Sequence, residues 1–126
     1  MSKNIDLSQY KKDEFDSITM WHVLEHIPNL EKTLTQLKRI LKPNGRVIIA
    51  TPNHECWDAK HYKECWAAWD VPIHFWHFSQ KTKTALLKKY NFDLTQKKPM
   101  IFDAYYISLL SEEFISGKKN LIKAFL

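Results

Sequence analysis

The chain has 126 residues, 44% of them hydrophobic and 26% charged, with a formal charge of +5. That suffices for one soluble globular domain with a real core, and not for two. No apolar run approaches the roughly 18 residues that a membrane span needs, and the first residues, Met1 to Asn4, carry no signal-peptide core. Cys56 and Cys65 are too few and too far apart for a zinc knuckle or a disulfide framework; they read as inert thiols, and a reduced, cytoplasmic setting is expected. The excess charge lies in residues 79–126, which hold nine Lys against four acids. Scattered Lys of this kind reads as the solvated side of helices, so nucleic acid is not an expected partner.

Residues 1–14 are polar and read as a flexible lead-in. Phe15 to Val23 mixes aromatic, β-branched and apolar residues, as a buried strand does. Pro28-Asn29 then marks a helix start, with Asn29 as N-cap and Glu31 suited to the helix dipole. Leu30, Leu34, Leu37 and Leu41 form one apolar stripe, broadened by Ile40. Pro43-Asn44-Gly45 is expected to stop this helix. Val47 to Ala50 is short, apolar and β-branched, which suits a strand covered on both faces in a parallel sheet.

From His54 to Phe78 the chain is irregular and aromatic, and is expected to cover the strand ends, with a short helix around His61 to Trp69. A connection of this length and content is usually functional. Ser79 is placed to cap a helix through Ala85, Leu86, Leu87 and Tyr90. Phe92 to Lys98 reads as a weaker third strand. Tyr106, Leu110 and Phe114, joined by Ile107, describe a further helical stripe ending near Ser116-Gly117, and Asn120 to Leu126 form an apolar tail.

In open α/β sheets function lies beyond the carboxyl ends of the strands. Here those ends are His22 to His26 and Thr51 to Asn53. His22-x-x-Glu25-His26 matches the inverted zinc-protease motif H-x-x-E-H. That chemistry needs both histidines one helical turn apart, with a third ligand, Glu112 or Glu113, from another helix. Pro28 argues against a helix through the motif.

The wider frame is more specific. FDSITMWHVLEHIPN, LKRILKPNGRVIIATPN and WDVPIHFWHFS, followed by a helix, resemble class I S-adenosylmethionine-dependent methyltransferases, in particular the small-molecule type whose fourth strand ends in V-L-E-H. The resemblance runs from about Asp6 to Phe92. It implies an α/β, partial Rossmann-like methyltransferase fold in which Phe15–Val23 is strand four, Leu30–Leu41 its helix, Arg46–Thr51 strand five and Phe92–Lys98 strand six. The family's glycine-rich loop and its ribose-binding acid have no counterpart, so the whole chain, 1–126, is expected to be the C-terminal part of such a domain, with 54–78 as an aromatic lid.

What the resemblance implies for function follows from that alignment. Trp21, His22 and Val23 would lie beside the methionine part of S-adenosylmethionine. Some relatives hold a divalent metal with E-x-x-E-H and a later histidine, which here translates to His22, Glu25, His26 and His74, a set suited to zinc or iron rather than magnesium. His74 and His77 are general-base candidates for an acceptor hydroxyl, while Asp70 and His74 can equally pair to pin the aromatic segment. The expected activity is methyl transfer to a small-molecule, lipid or sugar acceptor, weak or absent in this chain alone. A non-catalytic interaction module derived from a methyltransferase is the alternative, and the zinc protease a third. Open strand edges imply a homo-oligomer or strand-exchanged dimer.

Overall fold

The computed structural model describes residues 5–70 and 73–116. Val71 and Pro72 of the D-V-P-I-H stretch, the first four residues of the lead-in, and the tail containing Gly117 and Asn120 to Leu126 lie outside the described residues. The architecture is α/β, built on a short parallel sheet. Strand β1 (Phe15–Trp21) pairs in parallel with β2 (Leu41–Ala50), and helix α1 (Leu30–Ile40) connects them. Helices α2 (Trp57–Tyr62), α3 (Gln80–Lys89) and α4 (Ile101–Ser116) follow.

Helix α1 forms for the reasons legible in its residues. The Asn29 side chain accepts from the Lys32 backbone N–H at 3.0 Å, a cap that contributes about 1 kcal/mol. Leu30, Leu34, Leu37 and Ile40 are all buried. The three leucines meet Met20 of β1, Leu24, Ile27 and Phe78 in the main core. The helix ends at Ile40, and Leu41 is already extended. Pro43-Asn44-Gly45 is therefore not a turn between elements but an irregularity inside β2: the register jumps from Phe15 opposite Leu41 to Ser17 opposite Arg46. Only glycine fits there, because a Cβ on Gly45 would stand 2.9 Å from the Lys42 carbonyl oxygen and 2.7 Å from the Leu41 side chain.

The sheet departs from expectation in three ways. First, β1 stops at Trp21, and His22 turns out of it with φ 52° while its N–H still bonds Ala50 O at 2.9 Å. Val23 is thus a corner residue rather than the end of a strand. Second, the sheet is covered on one face only among the described residues. Met20, Val47 and Ile49 turn inward, whereas Thr19, Trp21 and Ile48 stay exposed. Third, Phe92 to Lys98 is not a strand. The Phe92 N–H caps the end of α3 by bonding Leu87 O, and its ring packs on the main core. That bends the chain away from β2, and residues 93–98 run exposed towards Pro99.

The lead-in is tied at its end. Arg39 donates to the carbonyls of Tyr10 and Leu7 at 2.9 and 3.1 Å, and the Asp13 and Glu14 N–H groups bond the last carbonyls of α1. Helix α3 starts at Ser79 through a reciprocal pair of bonds with Thr82.

Helix α4 also differs from the pattern read in its sequence. Tyr106 and Phe114, two members of the apolar stripe, are exposed, and the face that docks carries Ser108, Ser111 and Glu112. Local polar partners decide this. Ser108 donates to Asp58 at 2.6 Å, Ser111 accepts from the Ala67 N–H at 2.9 Å, and the Tyr62 hydroxyl donates to Glu112 at 3.0 Å. Burial, and then the Glu112 carboxylate, push the Tyr62 hydroxyl up to about 12. No helix among the described residues is long and apolar enough to cross a membrane.

Candidate active site at the strand ends

The carboxyl ends of β1 and β2 are covered by the segment between β2 and α3. It enters through Asn53 and His54, which pair with Phe78 as one more parallel bridge. Helix α2 follows, and then short 3-10 turns at Lys63–Cys65 and Ala67–Trp69, in place of one helix over His61 to Trp69. The segment closes on the corner through its backbone and indole. The Phe75 and Trp76 N–H groups donate to the Glu25 carbonyl at 2.8 and 3.4 Å, and Trp76 Nε1 donates to the Ile27 carbonyl at 2.7 Å.

The corner itself is a single 3-10 turn, Leu24–His26. Its brevity follows from Pro28, and it disperses the H-x-x-E-H residues rather than aligning them on one helical face. Glu25 points inward and is 1% exposed. Neither of its carboxylate oxygens has a hydrogen-bond partner among the described residues. The imidazole of His26 lies edge-on to that of His74, ring centres 4.5 Å apart. Ligand atoms of Glu25, His26 and His74 all lie within 4.8 Å of one another. A buried carboxyl without a hydrogen bond is costly, and a cation beside it would offset that cost.

The expected four-residue set is brought together only in part. His22 stands outside the three-residue group, because its Nε2 bonds Asp103 of α4 at 2.6 Å while Nδ1 faces Glu25 Oε1 at 3.4 Å. Glu112 and Glu113 do not supply a third ligand: Glu112 is engaged with Tyr62 at the docking face of α4. Lys83 is a neighbour that the sequence reading missed. It donates to Thr51 Oγ1 at 3.1 Å. Burial lowers its pKa, against a smaller opposing pull from Glu25. Asp103 was missed as well. Nothing local marks either residue, since each reaches the corner from a different helix.

The two general-base candidates are fixed in known tautomers by carbonyl acceptors. His74 Nδ1–H donates to Ala68 O at 2.9 Å, which leaves Nε2 with the lone pair, 3.7 Å from Asp70 Oδ2. His77 Nε2–H donates to Trp69 O at 2.7 Å and leaves Nδ1 basic on an exposed ring. Asp70 therefore approaches His74 without a short hydrogen bond. His54, Trp66, His74, Trp76 and His77 line a cleft too tight for a water molecule. The indole N–H of Trp66 is buried there without a partner. Trp21 is 54% exposed at the end of β1, and Cys56 and Cys65 are free thiols.

Comparison with known proteins agrees with this geometry. A family profile described as a methyltransferase domain matches residues 2–97. Over 48 residues the chain is 38% identical to a ubiquinone biosynthesis O-methyltransferase of Dechloromonas aromatica, covering 38% of this chain and 21% of that enzyme. A demethylmenaquinone methyltransferase of Streptomyces avermitilis is 35% identical over 48 residues, with the same coverage of 38% and 21%. The matched part thus spans about a fifth of the length of these relatives, 21% in each case. Among solved structures, a S-adenosylmethionine-dependent methyltransferase of Thermotoga maritima, described as a possible histamine N-methyltransferase, superposes with a TM-score of 0.58 at 23% identity. That overlap takes in 68% of this chain and 42% of the other, a likeness of fold. With most of its length matched by the profile, the chain belongs to the class I S-adenosylmethionine-dependent methyltransferase family.

Proposed function

We propose that this chain supplies the acceptor-side wall of a methyl-transfer site, in a cytoplasmic setting. One observation carries the reading: the His22–His26 corner and the aromatic segment meet at the carboxyl ends of two parallel strands, joined by the Phe75 and Trp76 bonds to Glu25. Trp21, His22 and Val23 form the face offered to the methionine part of S-adenosylmethionine, which supplies the methyl group on a sulfonium. The residues fit that role in one respect, an indole 54% exposed at a strand end.

The acceptor is a small molecule with a ring and a hydroxyl, in keeping with the quinone-pathway names of the relatives. The Trp66 N–H, unpartnered in the cleft, offers it a donor. His77 Nδ1 and His74 Nε2 are the basic nitrogens positioned to take its proton. For the acceptor to enter, the 54–78 segment opens as a lid, since the cleft as it stands has no room for a water molecule. A divalent cation suits Glu25, His26 and His74, whose mixed oxygen and nitrogen donors favour a borderline metal such as zinc or iron. Such a cation would polarise the acceptor oxygen as a Lewis acid.

The chain contains two glycines and no glycine-rich strand-to-helix turn, so it lacks the backbone cradle that lets a nucleotide approach closely. We expect weak cofactor binding: calorimetry should find affinity poorer than low micromolar. At millimolar S-adenosylmethionine, the Trp21 indole resonance is expected to shift in nitrogen-correlated NMR spectra. A low-micromolar affinity overturns the incompleteness, and a Trp21 signal that stays put overturns the cofactor placement.

Both strands of the two-stranded sheet leave one edge unpaired among the described residues. Free edges recruit further strands, and a second copy is the partner expected here. Light scattering should give a dimer mass; a clean monomer at high concentration counts against it.

A further inference from the structure

We propose that Asp103 is a positioning residue of the corner, holding the His22 proton on Nε2 so that His22 Nδ1–H does not compete for Glu25, one of the three residues able to gather a cation. The argument begins with the 2.6 Å contact between His22 Nε2 and Asp103 Oδ2. An ionised carboxylate only accepts hydrogen bonds, so the proton of this bond sits on Nε2. Nδ1 then faces Glu25 Oε1, 3.4 Å away. The backbone contributes as well. His22 is left-handed, at φ 52°, with its N–H committed to Ala50, so the ring leaves the strand in a fixed direction and meets the first turn of α4.

The same device occurs on the opposite side of the corner. His74 Nδ1–H donates to the Ala68 carbonyl, which fixes the ring beside Glu25 and His26. Two acceptors from unrelated elements thus set two imidazoles around a buried carboxylate that has no hydrogen bond of its own. Outer-shell acceptors of this kind fix the tautomer and orientation of metal-binding histidines and raise their basicity. Asp103 lies past residue 97, where the family profile ends. The contact bridges 81 positions of sequence. As a plain ion pair between side chains 38% and 39% exposed it would contribute little to stability, on the order of 0–1 kcal/mol. Its distinguishing effect is on the ring.

The cation half of this inference rests on the metal reading above, and the tautomer half does not. The first test is a ring-nitrogen NMR spectrum of the labelled protein at about pH 9, above the ordinary imidazole range. Wild-type His22 is expected as the Nε2–H tautomer. In Asp103→Ala the proton is expected to move to Nδ1, towards Glu25, and in Asp103→Asn, whose side-chain carbonyl still accepts, to stay on Nε2. The second test is titration with zinc alone. Asp103→Ala is expected to weaken binding about 10–100-fold, with Asp103→Asn recovering most of it. A His22 tautomer that Asp103→Ala does not move overturns the proposal. If the wild type binds no zinc, the metal reading falls, and the tautomer still decides the role of Asp103.

Discussion

Leu34→Ala is expected to lower the free energy of unfolding by about 3–5 kcal/mol, the upper part of the range for leucine truncation in a core that cannot collapse around the gap. Leu34 is 0% exposed at the centre of the stripe on α1, where the main core also takes in Met20, Leu24, Ile27 and Phe78. The sheet beneath is only two strands wide, and α1 passes into β2 without an intervening loop. Neither partner can shift far to refill the space. Urea denaturation followed by tryptophan fluorescence measures the loss. A change below about 1 kcal/mol would mean that the core is loosely packed, because even Ile-to-Val trimming costs that much in a tight one.

The second large effect has the opposite sign. Glu25→Met, assayed without metal, is expected to stabilise the protein by about 1–3 kcal/mol, the desolvation cost of a buried polar group left without a hydrogen bond. Glu25 sits at 1% exposure between Leu24 and His26, with neither oxygen hydrogen-bonded. Its backbone carbonyl, which receives Phe75 and Trp76, is untouched by the change. Zinc should reverse the order. It binds the native state and so stabilises the wild type, by about 2.7 kcal/mol at a hundred times its dissociation constant, while leaving Glu25→Met unaffected. If Glu25→Met is the less stable protein in chelator, His22 and Lys83 already neutralise the carboxylate and no vacancy for a cation exists.

The parts of the fold that could be read from sequence are those set by neighbours within a few residues. Asn29 and Ser79 cap helices through partners three positions away. The leucines of α1 carry a period that leaves one face to bury, and β1 and β2 are short apolar runs whose parallel pairing needs only the helix between them. The strands expected over Phe15 to Val23 and Val47 to Ala50 accordingly stand in the right order and orientation, the first ending two residues early at Trp21.

Where a distant contact decides, the local signal misled. Phe92 to Lys98 has mild strand character, but the capping bond from Phe92 to Leu87 turns the chain before a strand can begin. Tyr106, Leu110 and Phe114 have a helical period, and the helix forms, yet the bonds of Ser108, Ser111 and Glu112 to Asp58, the Ala67 N–H and Tyr62 outweigh the apolar stripe in choosing which face docks. At the site, Glu25, His26 and His74 were named and do converge. His22, which the motif places in the same group, stands beside it between Asp103 and Glu25, and spacing gives no clue to Asp103. The left-handed backbone of His22 is equally invisible, since histidine has no intrinsic need for it.

The docking of α4 through polar groups governs how that helix lets go. A helix seated on leucines exposes apolar surface when it detaches, and denaturants act in proportion to the surface newly exposed. Here the outward side already shows Phe102, Tyr106 and Phe114 to solvent, and what separates is serine from aspartate and tyrosine from glutamate. Water can replace those partners directly. Undocking of α4 also uncovers the small cluster of Ala59, Tyr62, Trp66 and Ala68 on which Ile107 packs, and it can occur while the leucine core stays closed. The segment most exposed to such opening is the one that carries Asp103 to His22.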